Sequence, residues 1–230
     1  MRQHFCCPTG GPGPITAATR SADAAAGRTV GVLKDFADKV SLVKRVHCLR
    51  VEGGTSHNSG ATQVMQVFGL SCHLGKQTDM FDVGSQKYNN GMSASVHDNS
   101  HRVDGEYQDN LPRYDKWHMR RFVEILRDLG PSGFNILDNG VAMFHTNIAT
   151  GNHECSDIPF ILAGTAGGRL KPGQYIDANT TNNKLLATVG AALGLKDGGA
   201  PITQFGGKKE DGGTVPGGYI DALKGSNFPT

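Results

Sequence analysis

No stretch of this 230-residue chain approaches the ~20 consecutive apolar residues that a membrane-spanning helix needs. Charge of one sign is lacking too. The 23 basic and 21 acidic residues leave a net charge of +2, spread along the chain without a basic stripe. That removes the electrostatic case for nucleic acid or an anionic membrane as partner. Cysteine is scarce and badly spaced for metal: Cys6, Cys7, Cys48, Cys72 and Cys155 contain no Cys-x-x-Cys pair. Their odd number leaves at least one thiol unpaired, which argues against a fully disulfide-stapled fold. There is no Gly-x-Ser-x-Gly elbow, no phosphate-binding glycine fingerprint and no internal repeat.

What is present is a polar, glycine-rich globular composition. Hydrophobic residues at 37% suffice for a core in one large domain or one and a half ordinary ones. The 32 glycines and 10 prolines imply many turns between short elements. Residues 1–29 are small and polar with no apolar signal region, and read as a disordered leader or a mis-assigned start. Residues 30–225 read as one α/β domain, and 226–230 as a tail.

Within that domain Val32, Leu33, Phe36 and Val40 fit a short helix face. Leu42, Val43, Val46, Cys48, Leu49 and Val51 read as a buried strand, followed by a polar break over 52–60. Residues 61–70 fit a helix or a strand equally, and 71–110 form a long polar stretch of the kind that is functional or disordered. Pro112 marks a helix start, with Tyr114, His118, Phe122, Ile125 and Leu129 at helical spacing up to Gly130-Pro131. Gly140–Thr146 and Pro159–Ala163 read as buried strands, and Gly164–Gly168 as a turn. A helix follows over 180–194, capped by Thr180 or Thr181, and a short one over Tyr219–Leu223. The alternation implies an α/β fold, a mixed or mostly parallel sheet with helices packed on it.

The residues with chemistry are histidines in polar loops at strand ends, where a rigid sheet holds loops open to substrate. His97 and His101 in Ser-Val-His-Asp-Asn-Ser-His-Arg are spaced as paired metal ligands on a helix; Asp98, Asn99 and Ser100 make a loop the better local reading. His153 shares Gly-Asn-His-Glu-Cys-Ser-Asp with Glu154, Cys155 and Asp157, a density that suits a divalent metal or acid/base work as well as a plain polar turn. His118 on its helix face reads first as a core group, and His145 ends a strand on the side of Met143 and Val141. Nucleophile candidates are weak: Thr55 and Ser56 beside His57, and Cys155 beside His153.

Several blocks, Asp138–Asn147, Gly151–Pro159, Leu162–Asp177, Thr181–Leu186, and upstream His97–Arg102 and Lys116–His118, resemble the C-terminal part of the bacterial domain of unknown function 1552 family. The resemblance covers roughly residues 33–225, loosely over Val40–His57. It implies export to the periplasm or another extracytoplasmic place and a distant kinship with the alkaline phosphatase and sulfatase superfamily. Such a protein would be about twice this length, its nucleophile and part of its metal site lying in the other half. The implied cofactor is a divalent cation, zinc or calcium, held by His97, His101 and His153, with His118, His145 and Asp157 as weaker candidates. The implied activity is metal-dependent ester hydrolysis. Asn147-Ile148 departs from that pattern: it stands where the superfamily ends a strand with Asp-His, and Cys155 stands where relatives often have a second histidine. Neither Asn nor Ile supplies an anionic ligand for paired cations. Three readings follow: a degenerate metal-binding hydrolase-like domain, a non-catalytic extracytoplasmic binding or structural module, and a truncated gene product.

Overall fold

The computed structural model describes residues 10–47, 107–129, 136–145, 156–205 and 213–229. They form a mixed five-stranded sheet with helices on both faces, which places the chain in the α/β class. In chain order the strands are Gly13–Pro14 (β1), Val40–His47 (β2), Ala142–His145 (β3), Ile158–Ala163 (β4) and Gln174–Thr181 (β5). Their order across the sheet is β1-β5-β2-β4-β3. β2 and β5 are parallel, while β1/β5, β2/β4 and β3/β4 are antiparallel. Of the two expected alternatives the sheet is therefore the mixed one.

The helices are Ala17–Ala25 (α1), Tyr107–Leu129 (α2), Ile136–Asn139 (α3) and Asn182–Ala192 (α4), with 3₁₀ segments at Thr29–Phe36 and Asp221–Leu223. Strand alternation sorts the core into two layers. Val40, Leu42, Ile161, Ala163 and Tyr175 pack with Val30, Leu33, Met119, Phe122 and Leu126 of the 3₁₀ segment and α2. Val43, Val46, Phe160, Leu162 and Ile176 pack on the other face with Leu185 and Ala192 of α4 and with Ile220 and Leu223. Two buried polar side chains tie the C-terminal segment to α4. Asn183 Nδ2 donates to the Pro216 carbonyl at 2.8 Å and its Oδ1 accepts from Phe205 N at 2.7 Å. Thr188 Oγ1 donates to Lys184 O and accepts from Ile220 N.

Four expectations need correction. Residues 10–29, read as part of a disordered leader, carry β1 and α1. Thr16 caps α1 by accepting from Thr19 N at 3.1 Å. The buried stripe of α1 holds Arg20 and Asp23, so no apolar period announced it. Helix α2 begins at Tyr107, not Pro112, which lies inside it within the second turn. Its buried face is Met119, Phe122, Val123 and Leu126; Ile125 is 53% exposed and His118 also faces solvent. β3 is an edge strand with alternating exposure, not a buried one. Strand β5, the parallel partner of β2, was not anticipated, because only Tyr175 and Ile176 in it are buried.

The helix over 180–194 appears as α4 with Thr181 at the N-cap position, though the threonine side chain makes no capping bond. Gly164–Gly168 is a turn, and Gly164 (φ 112°) is needed there. A Cβ at Gly164 would lie 2.2 Å from Gly140 O, backbone that cannot yield.

Candidate functional site

β2 and β5 run the same way, and β3, antiparallel to β4, runs with them. Their C-terminal ends and the start of β4 therefore share one end of the sheet. That is where open α/β sheets commonly present functional groups.

The local geometry starts from a parity problem in β2. Val43 and Val46 are three residues apart yet both enter the same core layer. In a regular strand they would point to opposite faces. The ladder absorbs one extra residue: pairing with β4 shifts between Val43 and Val46, and pairing with β5 between Lys44 and Val46. At the bulge Arg45 takes a left-handed backbone, φ 54°. Asp157, just before β4, and Asn179, in β5, are left-handed as well, at φ 59° and 42°. Such conformations cost of order 1 kcal/mol each for non-glycine residues and persist only where surroundings impose them.

Here the surroundings are one another. The Asp157 carboxylate accepts from Arg45 N at 3.0 Å. Asp157 N donates to His47 Nδ1 at 3.4 Å, and His47 Nε2 lies 3.3 Å from Asn179 Oδ1. Nδ1 must be the acceptor toward an amide N–H, so the neutral ring carries its proton on Nε2 and donates to Asn179. Arg45 also forms an ion pair with Asp177, whose other carboxylate oxygen is 3.3 Å from Lys44 Nζ. Desolvation raises the Asp177 carboxyl, but hydrogen bonds and charge from Arg45 and Lys44 outweigh it and hold it below its ordinary value. His145, at the end of β3, stacks on Phe160 at 4.8 Å between ring centroids and remains exposed.

Of the expected metal ligands, His97, His101 and His153 lie outside the described residues, as do Asn147, Ile148, Glu154 and Cys155. His145 and Asp157 are brought to the same sheet end. His118 sits on α2; desolvation by the protein around its ring lowers its pKa below 6.5 although the residue keeps an exposed edge. Among the described residues, no three His, Cys, Asp or Glu side chains gather as metal ligands. The donors that do meet there fit a cation poorly, since both His47 nitrogens and one Asp157 oxygen are already engaged within the chain. His47, Arg45, Asp177 and Asn179 were missed from sequence; the irregular Val43–Val46 spacing was the signal that could have found them.

No family model, curated protein or solved structure matches this chain. No helix among the described residues is long and apolar enough to cross a membrane.

Proposed function

We propose that this chain is a non-catalytic extracytoplasmic binding module that uses an α/β sheet as a rigid scaffold. The observation that supports this reading is the continuous series of bonds at the sheet end, Asn179–His47–Asp157–Arg45–Asp177–Lys44. Its polar groups serve each other and the strained backbone, which is the work of a structural knot. A general base needs a lone pair directed at substrate, and a metal ligand needs one directed at the ion. His47 offers neither while both its nitrogens are bound in the chain.

A second reading, a degenerate metal-dependent ester hydrolase using zinc or calcium, has one observation in its favour. The chain leaves this sheet end at His145 and returns to it at Asp157, so both ends of the connection bearing His153 lie beside the knot. The two readings separate in one assay. Purified protein is supplied with zinc, calcium or manganese and offered 4-nitrophenyl phosphate and 4-nitrophenyl sulfate. The binding-module reading expects turnover at the blank rate and His47→Gln to lower stability only. Metal-dependent turnover abolished by His47→Gln or His145→Gln would refute it in favour of the hydrolase. Export is tested by fractionating cells that express the natural gene with a C-terminal tag; recovery from the cytoplasm alone would remove the extracytoplasmic part.

A further inference from the structure

A second region, away from the knot, has the charge and shape of a ligand site. A cleft of about 440 Å³ opens between α2 and the segment formed by α1 and the Thr29–Phe36 turn of 3₁₀ helix. That volume lies in the range of small-molecule sites. Its walls carry Arg28, Lys34, Lys116, Arg120 and Arg127 against two carboxylates, Asp35 and Glu124. Both carboxylates are already engaged: Asp35 lies 3.4 Å from Arg127, and Glu124 lies 2.6 Å from Arg121. Arg28 reaches Asp23 at 3.5 Å. Lys116 Nζ donates to the Gly27 carbonyl at 2.8 Å, which satisfies one donor and leaves its charge uncompensated. Among the described residues no carboxylate lies within ion-pair distance of Lys34, Lys116 or Arg120.

Three uncompensated cations around one concavity repel each other, and an anion between them relieves that repulsion. The cleft is also held in shape. At Gly31, in its wall, a Cβ would meet backbone atoms of Ala24 at 2.4 Å, so α1 and the 3₁₀ segment touch main chain to main chain. Beneath Arg28, the buried Arg20 and Asp23 keep a second guanidinium close by. Val32 and Val123 supply an apolar wall. A guanidinium such as Arg120 matches phosphate with two parallel donors, lysines add point charge, and valines take an apolar substituent.

We infer that this cleft binds a small organic phosphate, its phosphoryl group held by Lys34, Lys116 and Arg120 and its apolar part against Val32 and Val123. This names a ligand class for the binding-module reading and rests on it.

Phenyl phosphate, inorganic phosphate and phenol are titrated by calorimetry into the full chain at low salt. Phenyl phosphate is expected to bind with a Kd on the order of 10–100 μM, inorganic phosphate more weakly, and phenol not measurably. The Lys34→Gln/Arg120→Gln double variant should lose affinity about 10- to 100-fold at unchanged melting temperature. Lys171→Gln/Lys224→Gln, the same charge change elsewhere, should bind as the parent does. Raising salt toward about 0.5 M should weaken binding. No saturable heat up to about 10 mM phenyl phosphate, a far weaker range than any specific site, overturns the inference. So does equal affinity of the cleft variant and the parent. Phosphorus NMR of the same samples keeps the two proposals apart. Phenyl phosphate recovered intact accords with both, whereas its conversion to phosphate and phenol, lost in His47→Gln, overturns the binding-module reading on which the inference rests.

Discussion

Replacing Arg20 by methionine should stabilise the protein. Arg20 is fully buried and none of its three guanidinium nitrogens has a hydrogen-bond partner. Its nearest counter-charge is Asp23, 3.9 Å away. Desolvation lowers its pKa from 12.5 to about 10 despite the attraction of Asp23. The sign follows directly. The folded state disfavours the charged form, so at neutral pH, below both values, the fold carries the whole penalty of roughly 3 kcal/mol. Methionine has a similar length, packs its stem in the same space and removes the charge. Asp23 is not stranded, because Arg28 remains 3.5 Å away. That penalty already contains the Asp23 attraction; with part of the gain set against imperfect packing of the thioether, the net gain is about 1–2 kcal/mol, or a rise of roughly 2–8 °C in Tm for a chain of this size. Asp23→Ala is the opposite case. It leaves two guanidinium groups facing each other around a lost carboxylate and should cost about 3–5 kcal/mol. Urea unfolding followed by circular dichroism measures both, with an unchanged m-value as evidence that the same folded state is compared. If Arg20→Met unfolds more easily than the parent by over about 1 kcal/mol, Arg20 is no desolvated liability and the reasoning fails.

Gly31→Ala should destabilise by about 2–3 kcal/mol, since its Cβ would collide with the Ala24 backbone; equal midpoints in urea would show that α1 and the 3₁₀ segment do not meet there. Asp177→Asn should cost no more than about 1 kcal/mol at pH 7, because the group is partly exposed. Its folded pKa is depressed, so the stability gap between parent and variant is present above pH 3.8 and closes as pH falls through the lower folded value. A gap that does not narrow at all as pH falls below 3.8 would contradict the Lys44 and Arg45 pairing. His118 should titrate below 6.5 by NMR, so that its contribution lowers stability as pH drops beneath that value; titration at or above 6.5 would show its ring to be freely solvated.

The elements legible in the sequence were those whose burial is apolar and periodic. β4, Ile158–Ala163, is buried at every residue and reads as a strand at sight. The turn after it is written in glycine. The Leu42–Val46 part of β2 was equally clear, because Leu42 and Val43 fill both core layers, whereas its first residue, Val40, was read onto the face of the preceding helix. Other features depend on partners the local sequence does not contain. Helix α1 hid because its inward stripe is Arg20 and Asp23, a charged pair that no hydrophobic period detects. β5 hid because its parallel partner β2 lies over a hundred residues earlier, and hydrogen bonding to it holds a strand most of whose side chains are polar. The face of α2 was displaced by about one residue: Met119, Phe122, Val123 and Leu126 make a tighter i, i+3, i+4, i+7 stripe than the series through His118 and Ile125.

The same distinction governs the sites. His145 and Asp157 were placed at a strand end from sequence and are found at one. The bulge that joins Asp157 to His47 and Arg45 is a property of three strands together. The cleft's cations lie at positions 28, 34, 116, 120 and 127, and a chain without a basic stripe gathers them only once α2 packs against the 3₁₀ segment.

The most direct test of the central claim is steady-state hydrolysis of 4-nitrophenyl phosphate with saturating zinc, calcium or manganese, in the parent and in His47→Gln. A binding module with a structural knot gives the blank rate for both proteins, with the variant melting lower. A metal-dependent rate in the parent that vanishes in the variant while its fold is retained would contradict it.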